Sequence, residues 1–486
     1  MVIDVETPLS PGWWLQRCND KLVGRQDRLR RLFARYEGEP EVPETIRFAP
    51  DTAQKFYRSS RTGFAGMIVK APLRRLRVVS LMTSAESSDI GDGEAWRVWR
   101  RAGMLSESID LHRTALISGD AYAILGVDDD GPYVTAEDPR QTVTIHDPIR
   151  QSRIRAGAKF FVDEDTSTSY AYLFMPGRVY VAKSTDGMVK VDADGKKHAA
   201  FGARTWVWDE ERGGADGAEL PDGFTPIVRF RNDEGVGEFE RHEDILNRLD
   251  HVILQSMVIA TMQAFRQRAI KVDPADMPDY DPETGEPVDY DSILSADPGA
   301  LWKLPLTAEL WESGQVDMNG ILSLIEKDMQ RLSAVTFTPL SMFNSDAVNN
   351  SAEGASLVKE GLTDKVIAMQ DRFDQPHVLV AAGLLRLAEL EDRADPETIR
   401  IGWAPAVRYS LMESAQAATA GKASEVPWRT RMAKFWQFTP EEIARAESER
   451  MSDALLFPDT VAATPAAVVE SDDVVGQDSG AVGVVG

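Results

Sequence analysis

The densest run of side chains able to do chemistry lies between Asp273 and Asp297, which holds nine carboxylates and no Lys or Arg, with prolines at 274, 278, 282 and 287 and another at 298. Close carboxylates can serve acid/base catalysis or calcium binding. Asp273, Asp276, Asp279 and Asp281 miss the EF-hand spacing and its closing glutamate. Acid/base work needs carboxylates held in a pocket that displaces their pKa values, and an exposed, proline-rich knob is a poor place for that. The plainer reading is an interaction or solubility surface. Elsewhere, Gly195-Lys196 and Gly421-Lys422 lack the earlier glycine of a phosphate-cradling loop, and Gly235-Val236-Gly237 lacks the third glycine of a dinucleotide fingerprint. His242-Glu243 has no second histidine one turn on, and six scattered histidines with one cysteine do not make a usual zinc site. The sequence therefore points to no catalytic residues, no metal and no cofactor.

The acidic run sits between two helical patterns. From Arg241, the residues Leu246, Leu249, Ile253, Met257, Ala260 and Ala264 recur at steps of three or four, with Ile245, Val252 and Ile259 on a second flank. So wide an apolar surface wants two neighbours. The pattern predicts a helix ending near Ile270, because Asp273-Pro274 cannot continue it. A second helix is expected from Asp317, as N-cap, to Thr336, through Met318, Ile321, Ile325, Met329 and Leu332. Pro339 then opens a polar loop that runs to Gly354. Ser351 is a candidate N-cap for a third helix with the stripe Val358, Leu362, Val366, Met369 and Phe373, which Pro376 should kink or interrupt.

Around this column the chain reads as an α+β body. One amphipathic helix is expected over 13–36, with Arg25, Arg28, Arg30, Arg31 and Arg35 on a solvated or inter-subunit face. Helices follow at 51–70 and 96–117, with a strand over 73–81 between them. Short antiparallel strands run from Ala121 to Phe230, punctuated at Asp130-Gly131, Asp186-Gly187, Asp194-Gly195 and Asp222-Gly223. After a strand at 399–403, residues 409–453 read as helical, with Thr439-Pro440-Glu441-Glu442 combining an N-cap, Pro at the first helical position and Glu three residues on. The stretch from Pro458 has no aromatic residue and no period, so it is expected to be disordered.

The formal net charge is −24 over 486 residues, 43% of them apolar. Residues 1–101 carry a surplus of five positive charges, so the remainder carries −29. Gripping nucleic acid along an open surface needs clustered cations, which this balance does not supply. One cysteine excludes an internal disulfide framework and fits a reducing compartment. No apolar run approaches the length of a membrane span, and no signal peptide is expected.

The order of several short motifs resembles the portal, or head-to-tail connector, proteins of tailed double-stranded DNA phages, in particular the type found in long-tailed siphophages. These motifs are Arg35-Tyr-Glu-Gly38, Phe56 to Leu81 with its Lys-Ala-Pro-Leu-Arg-Arg-Leu core, Trp96-Arg-Val-Trp99, and His112 to Tyr122. They continue with Pro226 to Asn232, Asp297-Pro-Gly299 and Ser351-Ala-Glu-Gly-Ala-Ser356. The resemblance spans about residues 13–455.

It implies a portal-type fold: wing over 1–237, stem helices over 238–270 and 317–336, clip over 271–316, and tunnel loop over 337–354. A kinked wing helix and return strand would occupy 355–407, crown helices 408–457 and a tail 458–486. It further implies a ring, typically of twelve copies, in the virion at one capsid vertex, assembled in the host cytoplasm. Its partners would be double-stranded DNA in the tunnel, a large terminase, a head-completion adaptor, and major capsid and scaffold proteins. An acidic lumen would pass DNA, where a basic one would hold it. Contacts with DNA are expected at Lys327 and Arg331 of the second stem helix and at Asn344, Ser345, Asp346, Asn349 and Asn350 of the loop. Asp279, Asp281, Glu283, Glu286 and Asp289 of the clip are expected to dock basic partners. The rival reading is a cytoplasmic hydrolase using carboxylates of the α+β body.

Overall fold

Ser10 starts the first helix: its Oγ accepts the Trp13 N–H at 3.1 Å, and Pro11 takes the first helical position, where its missing N–H costs nothing. In a computed structural model the described residues are 3–42, 51–85, 91–184, 189–191, 197–199, 206–220, 223–264, 268–273, 280, 283–288, 308–312, 314, 317–344, 352–407 and 409–456. They fall into two units, residues 1–409 and 410–486.

Three expected helices are each two. Residues 13–36 form α1 (Pro11–Val23) and α2 (Gln26–Glu37), which part at Gly24-Arg25. Residues 51–70 form α3 (Asp51–Ser60) and α4 (Phe64–Leu73), which shortens the following strand to β1 (Val78–Met82). Residues 96–117 form α5 (Gly93–Arg101) and α6 (Met104–Ser118), which part at Gly103 with φ +82°. In each case the apolar period carries on across the break, and at Gly103 the left-handed backbone needs a glycine.

The strands are antiparallel, as their turn chemistry predicts. β2 (Asp120–Asp128) and β3 (Gly131–Glu137) form a hairpin, and β2 also pairs with β12 (Ile227–Arg231). A larger sheet holds β4 (Thr142–His146), β5 (Ile154–Asp163), β6 (Thr168–Met175), β7 (Arg178–Ser184) and β10 (Val207–Trp208) in that order, with β11 (Ala218–Glu219) also on β7. Between these runs a small hairpin joins β8 (Val189–Val191) and β9 (Lys197–Ala199). Trp14, Leu15, Cys18 and Leu22 of α1 share a core with Ala156, Ala158, Phe160 and Leu173 of the larger sheet.

The main core gathers around α6 and one long helix, α9 (Ala352–Leu387), of 36 residues. Pro376 lies inside α9 without ending it. The expected N-cap Ser351 lies outside the described residues. Facing one another across the core, His112 Nε2 of α6 and His377 Nε2 of α9 are 2.8 Å apart and fully buried. Phe373, Phe230, Trp99 and Trp403 surround them. Burial pushes His112 down to about 3 and His377 well below the usual imidazole range. The return strand β15 (Arg400–Trp403) pairs with β1.

The second unit holds α10 (Leu411–Ala423), α11 (Trp428–Lys434) and α12 (Pro440–Leu456). The reciprocal cap expected at Thr439 is present: its N–H donates to Glu442 Oε2 at 2.8 Å, and the Glu442 N–H donates to Thr439 Oγ1 at 3.3 Å. The stretch from Pro458 lies outside the described residues.

Candidate conduit and docking surfaces

The two central helices are α7 (Glu243–Ala264) and α8 (Asn319–Thr336). The first ends earlier than its apolar period suggested. Residues Arg268–Lys271 form β13, paired with β14 (Glu309–Glu312), because β-branched Ile270 and Val272 lead into Asp273-Pro274. Asp317 lies two residues before α8, where its Oδ1 accepts the Asn319 N–H at 2.9 Å. At the inner end of the pair, Leu246, Leu249, Met329 and Leu332 are buried in the main core. At the outer end, Val258, Leu322 and Leu324 are exposed.

A charged cluster clamps the inner end. Arg248 Nε and Nη2 donate to the two oxygens of Asp328 at 2.6 and 2.8 Å, and Arg331 Nη1 donates to Asp328 Oδ1 at 3.0 Å. The Arg248 hydrogen bond leads in holding Asp328 below the usual carboxylate range. Of the two expected lumen cations, Arg331 is thus partly neutralised inside its own chain. Lys327 is exposed on α8, with no ion-pair partner among the described residues.

Most of the arginine face of the N-terminal helices is engaged within its own chain, while Arg30 and Arg31 stay half exposed. Arg28 grips Glu240 at 2.6 and 2.5 Å, and Arg31 reaches Glu243 at 3.3 Å. Arg35 reaches Asp250 at 2.5 Å and also donates to Asn247. Asp250 Oδ1 further accepts the Thr62 N–H and hydroxyl, each at 2.8 Å. Arg25 hydrogen-bonds the Tyr122 hydroxyl at 2.8 Å, and only Arg30 has its pairing confined to its own helix, with Asp27. The acids that answer Arg28, Arg31 and Arg35 lie more than 200 positions away, so spacing alone gives no sign of the pairing.

Beside the clamp is a cleft of about 490 Å³ whose walls include Glu238, Arg241, Phe337, Gly361, Lys365 and Arg372. Lys365 Nζ lies 2.5 Å from Glu238 and donates to the Thr336 carbonyl at 2.9 Å, joining the lead-in of α7, the last turn of α8 and the middle of α9. Phe337 has φ +53°, an unusual backbone for an aromatic residue, and its ring lies against Gly361. A Cβ at Gly361 would come within 2.8 Å of that ring.

Of the loop residues named from the sequence, Asn344 is half-buried, while Ser345, Asp346, Asn349 and Asn350 lie outside the described residues. Of the acidic knob, Glu283 and Glu286 are exposed beside a turn with Gly285 at φ +72°, and Tyr280 bridges Pro287. Asp279, Asp281 and Asp289 lie outside the described residues. Among the described residues there is no cluster of three or more His, Cys, Asp or Glu able to hold a metal ion, and no helix is long and apolar enough to cross a membrane.

Among solved structures, the chain is similar to one in the virion of a native gene transfer agent particle, at 13% identity and TM-score 0.42, covering 79% of this chain and 93% of that one. It is also similar to one in the neck of the native particle computed with C12 symmetry, at 14% identity and TM-score 0.45, with the same coverage. A comparison with curated proteins finds no match. The family model described as phage portal protein, SPP1 Gp6-like, matches residues 15–454. The chain therefore belongs to that family of phage portal proteins, ring-forming structural proteins of the head-to-tail connector at one capsid vertex.

Proposed function

We propose that the ring is a passive, non-enzymatic conduit through which double-stranded DNA enters during packaging and leaves during ejection. The stem is the pair α7 and α8, the clip lies between them, the loop after Thr336 faces the tunnel, and residues 408–457 form the crown. A copy number of twelve is the expectation from family habit. The observation that carries this reading is the stem itself: its root is buried and clamped by Asp328, while Val258, Leu322 and Leu324 farther out lack cover within one chain. A column of that kind is completed by neighbouring copies standing beside it.

Translocation energy would come from a separate terminase ATPase docked on the clip, later replaced by a head-completion adaptor. Capsid and scaffold proteins would meet the ring while it assembles in the host cytoplasm. Lys327 and Asn344 are the described residues proposed to face DNA, together with Arg331 to the extent that Asp328 leaves it free.

Negative-stain electron microscopy and native mass spectrometry on one purified sample test the reading. Rings with a central hole, of one copy number, are expected. Monomers at every concentration, persisting on co-expression with capsid and scaffold partners, would overturn it and return attention to the carboxylates of the α+β body.

A further inference from the structure

Asn232 carries an acceptor that nothing in the described fold answers. It forms part of the wall of the 490 Å³ cleft beside the clamp and is 2% exposed. Its Nδ2 donates to the Val236 carbonyl and to Glu238 Oε1, both at 2.8 Å. Those two acceptors fix the amide, since a flipped Asn232 would turn its oxygen onto a carbonyl and a carboxylate. Oδ1 is left buried, with no donor among the described residues. Buried acceptors are as a rule satisfied, so an orphan in a cleft wall marks a place where a donor comes from outside.

The charges of the cleft decide which kind of donor fits. The three arginine and lysine cations among its described residues are each answered within the chain: Lys365 by Glu238 at 2.5 Å, Arg372 by Asp233 at 2.8 Å, and Arg241 by Glu234. Burial and the neighbouring Lys365 hold His242 below the usual imidazole range, so it adds no positive charge at neutral pH. Asp364, exposed on α9 in the same cleft, has no ion-pair partner among the described residues. An anion would therefore meet neutralised cations and one unmatched carboxylate, whereas a cation with N–H groups would meet Asp364 and the orphan oxygen. Phe337, 51% exposed, and Ala368 give the cleft an apolar side that can take an alkyl stem, with the Phe337 ring open to a cation. The room is far more than one water needs and falls within the range of small-molecule sites, about 300–1,000 Å³.

We infer that this cleft binds an aliphatic ammonium ion, its N–H groups on Asn232 Oδ1 and Asp364 and its alkyl stem against Phe337 and Ala368. The site lies within one chain and does not depend on the ring reading. Occupied, it would tie together the lead-in of α7, the end of α8 and the middle of α9. Two sources carry this chemistry, a lysine side chain of a partner protein and a free polyamine, and the test tells them apart.

Titration calorimetry on the full-length chain uses N-acetyl-lysine methylamide for the first source and 1,4-diaminobutane for the second, with 1,4-butanediol as the uncharged control. One saturable site per chain is expected for at least one ammonium probe, and none for the diol. Asp364→Asn removes the unmatched carboxylate, and Ala368→Trp fills the cleft from an exposed helical position. Each should raise Kd about tenfold or more while leaving the melting temperature of the unliganded chain unchanged. Hydrogen exchange locates the site: the bound probe should slow amides of 232–238 and 361–372 in the parent chain and not in Ala368→Trp. Tighter binding of the acetyl-lysine probe assigns a partner's side chain, and tighter binding of the diamine assigns a free polyamine. Saturable binding of neither ammonium probe overturns the inference. So does equal affinity in the parent and both variants, which is how a chain of net charge −24 holds cations diffusely.

Discussion

Arg35 and Asp250 meet at 2.5 Å with both side chains almost wholly out of water, joining the N-terminal helix pair to α7. The fit is completed by Thr62 and Asn247, so neither charge is left bare. Removing one partner strands the other in a low-dielectric site. Arg35→Ala or Asp250→Ala should each cost about 3–5 kcal/mol, and replacing both by apolar residues of similar volume should cost less than either. Denaturant midpoints of the four proteins check this; a double variant no more stable than the singles would contradict it.

The buried imidazoles make a pH prediction. His112 and His377 are neutral in the fold, with pKa values lowered by burial, to about 3 for His112. In the unfolded chain they titrate near the ordinary value of about 6.5. The unfolded state therefore binds more protons below that value. The stabilisation is fully present above pH 6.5 and is lost as pH falls, by about 1.4 kcal/mol per pH unit for each histidine. Thermal melts between pH 7.5 and 4.5 should show this slope, and His112→Leu with His377→Leu should flatten it.

Lys365 offers a test of the inner end of the α7–α8 pair. Lys365→Met removes the charge opposite Glu238 and the donor on the Thr336 carbonyl, and should destabilise by about 3 kcal/mol. Hydrogen exchange should quicken first in the amides of 333–338, at the end of α8. Unchanged exchange there would deny Lys365 its role as the tie.

The acidic run between Asp273 and Asp297 makes a binding prediction. If its acidic run docks basic partner surfaces, association should weaken as salt rises. Charge reversal at Asp279, Asp281 and Glu283 should lower affinity for the head-completion adaptor, measured by titration calorimetry at two salt concentrations. Affinity that stays unchanged would remove these residues from the interface.

What was legible beforehand follows physical lines. Helical period, turn residues and caps act over a few positions, so the helices α7 and α8, the antiparallel sheets and the Thr439 cap are readable. Glycines such as Gly103 were not read as breaks, because the apolar period on either side stays in phase while the chain turns. The ladder of Arg28, Arg31 and Arg35 onto Glu240, Glu243 and Asp250 is not legible in the sequence, because nothing local shows what such a face will meet. His112 and His377 lie 265 positions apart, and only packing brings them together. Asp328 lies between Ile325 and Met329, where a carboxylate beside an apolar stripe hints at a buried partner.

The 36-residue helix α9 spans about 54 Å at 1.5 Å per residue, and Pro376 withholds one rung of its backbone ladder. Mechanically this is a strut with one compliant point. Its stiff N-terminal arm carries Gly361, Lys365 and Arg372 beside the stem root, while the weak point lies directly next to the His112–His377 contact. Bending strain passed from the α7–α8 pair along that arm would therefore concentrate at Pro376, beside the buried imidazole pair.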